Sequence, residues 1–395
     1  MNEKVKAAYV FLSILLLVSV FYSRFLLSVS MFGWLILAFY HSRNPLKILN
    51  HKGLLLTTGL FFLFLFSGVN SENTMEWVHH LRMRLPFLAL PMAICMIPPA
   101  EKKTYQMIHW TIIGLVTISS LPILYHVISD FDAVYKGLAE GQPIPTPIQH
   151  TKYSLFIAYA ILMGIVMMVQ EHNTLIRNRW VLPVLIVYLI IFLHVLAVRS
   201  GLVVFYLSLI VLSAIYALRQ KSYRLFLFGL LLAITLPVIG FYSIPSLNKR
   251  IHYMVYDINE YLKGGGDQYS DSDRINSLII GAEIVKENPV LGVGIGDLKD
   301  ECNIKYREKF GPKKYVLYPH NQYLFIAAAT GILGLLAFLV FLWGPLILED
   351  HRQNLYLMAL ILVFSLGFLF DNALERSFSA GFYAFLLSVE LRRLE

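Results

Sequence analysis

Residues 318–336 read YPHNQYLFIAAATGILGLL, and from Asn321 the chain stays apolar as far as Leu348. A run of that length exceeds the roughly 20 residues that cross the hydrocarbon core of a bilayer. Two questions follow: whether the run is alone, and why His320 and Asn321 stand at its head.

It is not alone. Eleven further apolar runs recur along the 395 residues: Ala7 to Tyr22, Leu26 to Tyr40, Gly53 to Val69, Leu85 to Ile97, Tyr105 to Ser129, Tyr153 to Val169, Trp180 to Val198, Gly201 to Leu218, Leu225 to Ile244, Leu355 to Phe370 and Phe378 to Leu391. The composition agrees, with 57% hydrophobic residues, only 15% charged and a mean hydropathy of +0.63, against about 25% charged in a soluble domain. The expected fold is an all-α polytopic membrane protein of about twelve transmembrane helices. The Leu85 to Ile97 run carries Pro86 and Pro91 and is expected to be broken or re-entrant.

Lys and Arg concentrate on the cytoplasmic side of a membrane protein. Threading the runs alternately from Lys4 and Lys6 puts Arg43, Lys47, Lys52, Lys102, Lys103, Arg177, Arg179, Arg219, Lys221, Arg224, Arg352, Arg392 and Arg393 on one side. The short loops of the other side keep Arg24, Arg82, Arg84, Lys136, Lys152, Arg199 and Arg376. Both termini are therefore expected in the cytoplasm, and the first run is expected to be a span, since no small-residue cleavage site follows it. The net charge of +8 fits this asymmetry and attraction to anionic lipid; no nucleic-acid signature accompanies it. Cys95 and Cys302 offer no disulfide framework.

The chain divides into spans one to nine (1–243), a large outer loop (244–319) and the last three spans (320–395). Asp130 to Lys152, with Pro143, Pro145 and Pro147, reads as an extended loop. Inside 244–319, Ile275, Leu278, Ile279, Ala282 and Val285 predict an amphipathic helix over 270–286, ended by Asn288-Pro289. Arg274 falls near its start, where a cation opposes the helix dipole and calls for a compensating anion. ENPVLGVGIGD, with Gly292, Gly294 and Gly296, lacks the G-x-G-x-x-G spacing of a nucleotide loop and reads as a tight backbone turn against the spans. Arg199, in LHVLAVRSGLVV, stands between two spans on the outer side.

AVRSGL, DRINSLIIGAEIVKENPVLGVGIGD and YPHNQYLFIAAATGILGLL, in that order and spacing, resemble the C-terminal signature region of the bacterial O-antigen ligase and polymerase family, over about Val198 to Trp343. The resemblance implies a GT-C-like glycosyltransferase facing the periplasm of a bacterial inner membrane. Its donor would be a glycan on undecaprenyl diphosphate and its acceptor a lipid A core or other glycan hydroxyl. Arg199 and Arg274 match the arginines assigned to the diphosphate, and His320 matches the proposed base, with Asn321 beside it. One departure is the valine before Arg199, where a serine is common.

The chemistry is consistent with those residue types. A lipid diphosphate leaves as a stable anion, so charge from forked arginines matters more than an acid, while the acceptor hydroxyl must lose a proton to a neutral imidazole. His320 is thus the candidate catalytic base, Arg199 and Arg274 the diphosphate ligands, and Asn321 and Arg84 the candidate substrate contacts. The plain alternatives are that His320 and Asn321 cap a helix and that Arg199 snorkels to the interface. His79, His80 and Arg82 accompany Arg84, and Asp371, Glu375 and Arg376 read as a solvated salt-bridge cluster. The D-x-D pairs Asp130/Asp132 and Asp271/Asp273 lack further ligands for a metal, so neither metal nor cofactor is expected. O-antigen ligase is the leading reading; a polymerase, or a lipid-linked glycan transporter without chemistry, are the alternatives.

Overall fold

The computed structural model describes residues 3–170, 175, 178–263, 270–311 and 317–393. Among these, every regular element is a helix, as a bilayer requires of a chain that must satisfy its own backbone hydrogen bonds. Each of the twelve apolar runs is helical. Eight helices are long and apolar enough to cross a membrane: Glu3–Tyr22, Arg24–His41, Lys52–Asn70, Lys102–Ser129, His150–Gln170, Arg199–Arg219, Tyr223–Ser243 and Gln322–Ile347. The remaining four, Pro86–Met96, Val181–Val195, Leu355–Gly367 and Ser377–Arg392, are shorter. The protein is a multi-pass helical membrane protein.

Two corrections concern the polar segments. Asp130 to Lys152 is not extended throughout, since Phe131–Ala139 forms a helix against Pro245–Leu262. The large segment holds three helices rather than one: Pro245–Leu262, Ser270–Glu287 and Leu298–Phe310. Its residues 264–269 and 312–316 lie outside the described residues.

The chain forms two compact units. One comprises Met1–Glu101, Ser270–Leu357 and Phe368–Glu395; the other comprises Lys102–Tyr269 and Met358–Gly367. In the second unit His150–Gln170 is the inner helix, buried without a break from Thr151 to Gly164 and packed by Lys102–Ser129, Val181–Val195 and Arg199–Arg219. Tyr223–Ser243 instead turns Leu227, Phe228, Leu231, Ile234 and Val238 outward, an apolar face suited to lipid.

In the first unit the inner helix is Ser377–Arg392, buried from Ser379 through Arg392 and packed by Pro86–Met96 and the two N-terminal helices. The Leu85 to Ile97 run, expected to be broken or re-entrant, is instead one continuous helix, Pro86–Met96, with Pro91 accommodated inside it; the chain breaks ahead of the run, at Leu85, where Thr74–Arg84 ends and Pro86 opens the next helix. Pro86–Met96 and Ser377–Arg392 run parallel. Arg392 reaches the Ile97 carbonyl at 3.0 Å at one end, and Arg84 meets Glu375 at the opposite end. Cys95 and Cys302 are both buried and unpaired with each other.

Candidate functional site

The first unit fixes His320 by the residues on either side of it. Asn321 has an extended backbone and caps the Gln322–Ile347 helix, its Oδ1 accepting from the Leu324 N–H at 3.0 Å, while its Nδ2 donates to the Leu369 carbonyl at 3.2 Å. Asn321 is therefore a cap that sets the chain direction, and both ends of its amide are engaged. Gln322 donates its backbone N–H to the Phe368 carbonyl at 2.8 Å, and its Oε1 accepts from the Leu374 N–H at 2.9 Å. On the other side, the His320 N–H donates to Ser277 Oγ at 3.1 Å.

Ser277 joins two of the sequence candidates. Its hydroxyl also donates to the Arg274 carbonyl at 2.7 Å, one turn earlier on Ser270–Glu287, so the Arg274 turn and the His320 backbone share one hydroxyl. The helices approach closely there: a Cβ on Gly281 would stand 2.7 Å from the Pro319 ring. The Arg274 guanidinium lies 3.9 Å from Asp271, which supplies the anion that a cation near a helix start calls for, and it keeps a third of its surface exposed. Nothing in the sequence marks Ser277, a serine inside a helix.

The His320 imidazole points Nδ1 at Asp371 Oδ1, 3.6 Å away. That is ion-pair range and longer than a hydrogen bond. Asp371 is 2% exposed and His320 23%, so a buried carboxylate faces an imidazole that keeps part of its surface in solvent. Asp371 is thus the second residue that the sequence reading undervalued, as one member of a supposed solvated cluster.

Glu375 is the third. It is buried, and its carboxylate collects Arg84 Nη2, Gln322 Nε2 at 3.1 Å and His80 Nδ1 at 3.1 Å. Burial pushes this carboxyl upward, but the Arg84 charge and the His80 contact outweigh burial and hold it at about 2. Arg84 also lies 3.4 Å over the Phe64 ring and is 1% exposed. Arg84, expected to contact substrate, is enclosed by protein and paired with Glu375. Through Glu375 and Gln322 it ties the Thr74–Arg84 helix to the head of Gln322–Ile347.

The glycine-rich turn supports the same head from outside. Val293 and Gly294 donate their N–H groups to the Ala328 and Ala329 carbonyls at 3.0 and 2.9 Å, and Ile332 N–H returns to the Pro289 carbonyl at 2.8 Å. These bonds use backbone that the long helix releases at Gly331, whose φ of 67° and ψ of −171° interrupt it. Asp297 accepts from the Glu72 and Asn73 N–H groups at 2.8 and 2.7 Å. The turn is a structural clasp.

Beside this cluster a half-open cavity of about 520 Å³ is lined by Glu76, His79, Arg82, Lys299, Tyr318 and Arg376, with His80, Asn372 and Glu375 also reaching it. Arg199 belongs to the second unit, where it opens the Arg199–Arg219 helix after Ala197, a non-glycine residue at φ 54°. Residues with such backbone are uncommon and gather at functional sites.

Residues 184–339 match the family model described as O-antigen ligase. This region is an O-antigen ligase family domain. No curated protein matches the chain. The O-antigen ligase match contains Arg199, Arg274, Ser277, His320 and Asn321, whereas Arg84, Asp371 and Glu375, which support His320 and the helix head behind it, lie outside it.

Proposed function

We propose that the protein is an O-antigen ligase, transferring polysaccharide from undecaprenyl diphosphate to a sugar hydroxyl of a lipid A core at the periplasmic face of the bacterial inner membrane. The observation that carries this reading is the setting of His320: backbone pinned by Ser277 and Asn321, Nδ1 toward buried Asp371, the side chain partly open to solvent. In this reading the acceptor oxygen attacks the anomeric carbon with inversion. The new C–O bond forms as the bond to the diphosphate oxygen breaks, and its electron pair leaves with the diphosphate.

Because Nδ1 faces Asp371, Nε2 takes the hydroxyl proton, and the carboxylate then offsets the imidazolium charge. Arg274 and Arg199 stabilise the departing oxygens by forked hydrogen bonds. Since the leaving group is already a stable anion, the transfer is read as metal-independent. The frame is read as twelve crossings in a GT-C-like arrangement, with both termini cytoplasmic, spans in 1–243 and 320–395, and a periplasmic region over 244–319.

The test is product analysis. Purified protein is given lipid-linked glycan with either lipid A core or a second lipid-linked unit. Glycan joined to the core is the expected result. A lengthened lipid-linked chain identifies a polymerase instead, and translocation across vesicles without a new glycosidic bond identifies a transporter.

A further inference from the structure

The cavity beside His320 carries more positive charge than its own carboxylates neutralise. Glu76 accepts from Lys299 at 2.6 Å, and that hydrogen bond holds its carboxyl below the usual range. Glu375 is taken by Arg84, Gln322 and His80. Arg82 and Arg376 remain. Both are exposed, both line the cavity, and among the described residues neither guanidinium has an ion-pair or hydrogen-bond partner.

The two come from different elements. Arg82 stands on Thr74–Arg84, and Arg376 immediately precedes Ser377–Arg392. Both elements are anchored behind the cavity by the buried Arg84–Glu375 pair, so the guanidiniums are carried on fixed backbone. A planar fork with no internal partner is suited to a phosphate or carboxylate, and a volume of about 520 Å³ falls in the range of about 300–1,000 Å³ usual for small-ligand sites.

Two of the cavity's lining residues are close neighbours of the His320–Asp371 pair in the chain. Tyr318 is two residues before His320, and Asn372 follows Asp371 directly; both line the cavity. The chain thus joins the cavity wall to the pair within two residues at Tyr318 and one at Asn372, although neither His320 nor Asp371 itself lines the cavity. We propose that this cavity is an acceptor subsite for an anionic sugar, with Arg82 and Arg376 gripping a phosphate or carboxylate on the glycan that receives the transfer. As an anion site the proposal stands on its own; as an acceptor subsite it rests on the transferase reading.

The experiment separates these two. Detergent-purified full-length protein is titrated with glucose 6-phosphate, glucuronate and glucose, following ligand signals by saturation-transfer NMR. Both charged sugars are expected to bind at least about tenfold more tightly than glucose, a preference worth one charge-assisted contact. The Arg82→Gln/Arg376→Gln protein is expected to lose the preference while unfolding at the wild-type temperature. A double variant that keeps the preference, or full displacement of the probe by undecaprenyl phosphate, overturns the proposal, the second because the anion would then be the donor's.

In the transfer assay, the same variant is expected to lose about 10²-fold in kcat/KM for a phosphorylated acceptor, two such contacts, with donor KM unchanged and equal use of the phosphatase-treated acceptor. Equal loss with both acceptors overturns the acceptor assignment. Intact charge preference without any transfer overturns the ligase reading and leaves the anion site standing.

Discussion

His320 stands one residue ahead of the helix cap, and Asn321 makes the capping hydrogen bond. Capping therefore does not account for the histidine, and the two roles separate by mutation. His320→Ala is expected to lower the transfer rate by about 10²- to 10⁴-fold, the usual contribution of a general base, with little change in unfolding temperature. His320→Asn is expected to be as inactive, because Asn321 already caps and an amide does not take the proton; an active His320→Asn enzyme removes His320 from the chemistry. Asp371→Asn is expected to fall between wild type and His320→Ala, since the imidazole keeps its place and loses the charge behind it. In the proposed transfer, Arg274 and Arg199 act through fork geometry. Lysine at either position is expected to cost about tenfold or more in turnover with donor left unreacted, and near-normal rates in both at matched protein levels remove the forks from diphosphate binding.

Among the elements, the Pro86–Met96 helix has the buried ion pair at its head. Arg84 ends Thr74–Arg84 just ahead of its first residue, Pro86, and is 1% exposed, so the guanidinium there needs a countercharge from protein rather than from water. Glu375 supplies it. Glu375→Gln leaves Arg84 buried without that charge and is expected to lose about 3–5 kcal/mol of stability, while Glu375→Gln/Arg84→Met recovers most of the loss; thermal unfolding in detergent reads both, and a stable single variant refutes the argument. The pH dependence has a definite sign. Glu375 is lowered from 4.5 to about 2 on folding, so its contribution is complete above pH 4.5 and declines as pH falls toward 2. In the sequence, Asp371, Glu375 and Arg376 form a charged cluster between two apolar runs and read as solvated, because composition does not reveal that the turn folds inward beneath Thr74–Arg84. The glycine-rich turn was legible from its spacing, but its partner at Gly331 was not, since the apolar run continues through the break. Alanine at Gly331 would combine φ 67° with a Cβ 2.1 Å from the Val290 carbonyl oxygen, and a loss of at least about 1–3 kcal/mol is expected from the backbone alone.

For the molecule as a whole, hydropathy located every apolar helix because burial in lipid leaves a long, nearly unbroken signal. It did not distinguish Ser377–Arg392, enclosed by protein on all sides, from Tyr223–Ser243, which faces outward, because lipid and protein interior select the same side chains. Ordered motifs likewise brought Arg274 and His320 to attention, whereas Ser277, which links them, has no sequence mark. What the Lys and Arg asymmetry does predict is sidedness, and the proposed chemistry depends on it. Single cysteines introduced beside Lys102 and beside Lys221 are expected to be shielded from an impermeant thiol reagent in intact cells, while one beside Lys263 is expected to react. All three lysines are exposed to the surroundings, so a difference among them reports the membrane rather than burial. The native background is low: Cys95 is buried, and Cys302 is buried with its thiol pushed up to about 12 by desolvation, which removes the reactive thiolate at neutral pH. Labelling beside Lys102 and Lys221 with protection beside Lys263 would put residues 244–319 in the cytoplasm, away from a periplasmic acceptor, and would end the ligase reading whatever the mutants of His320 do.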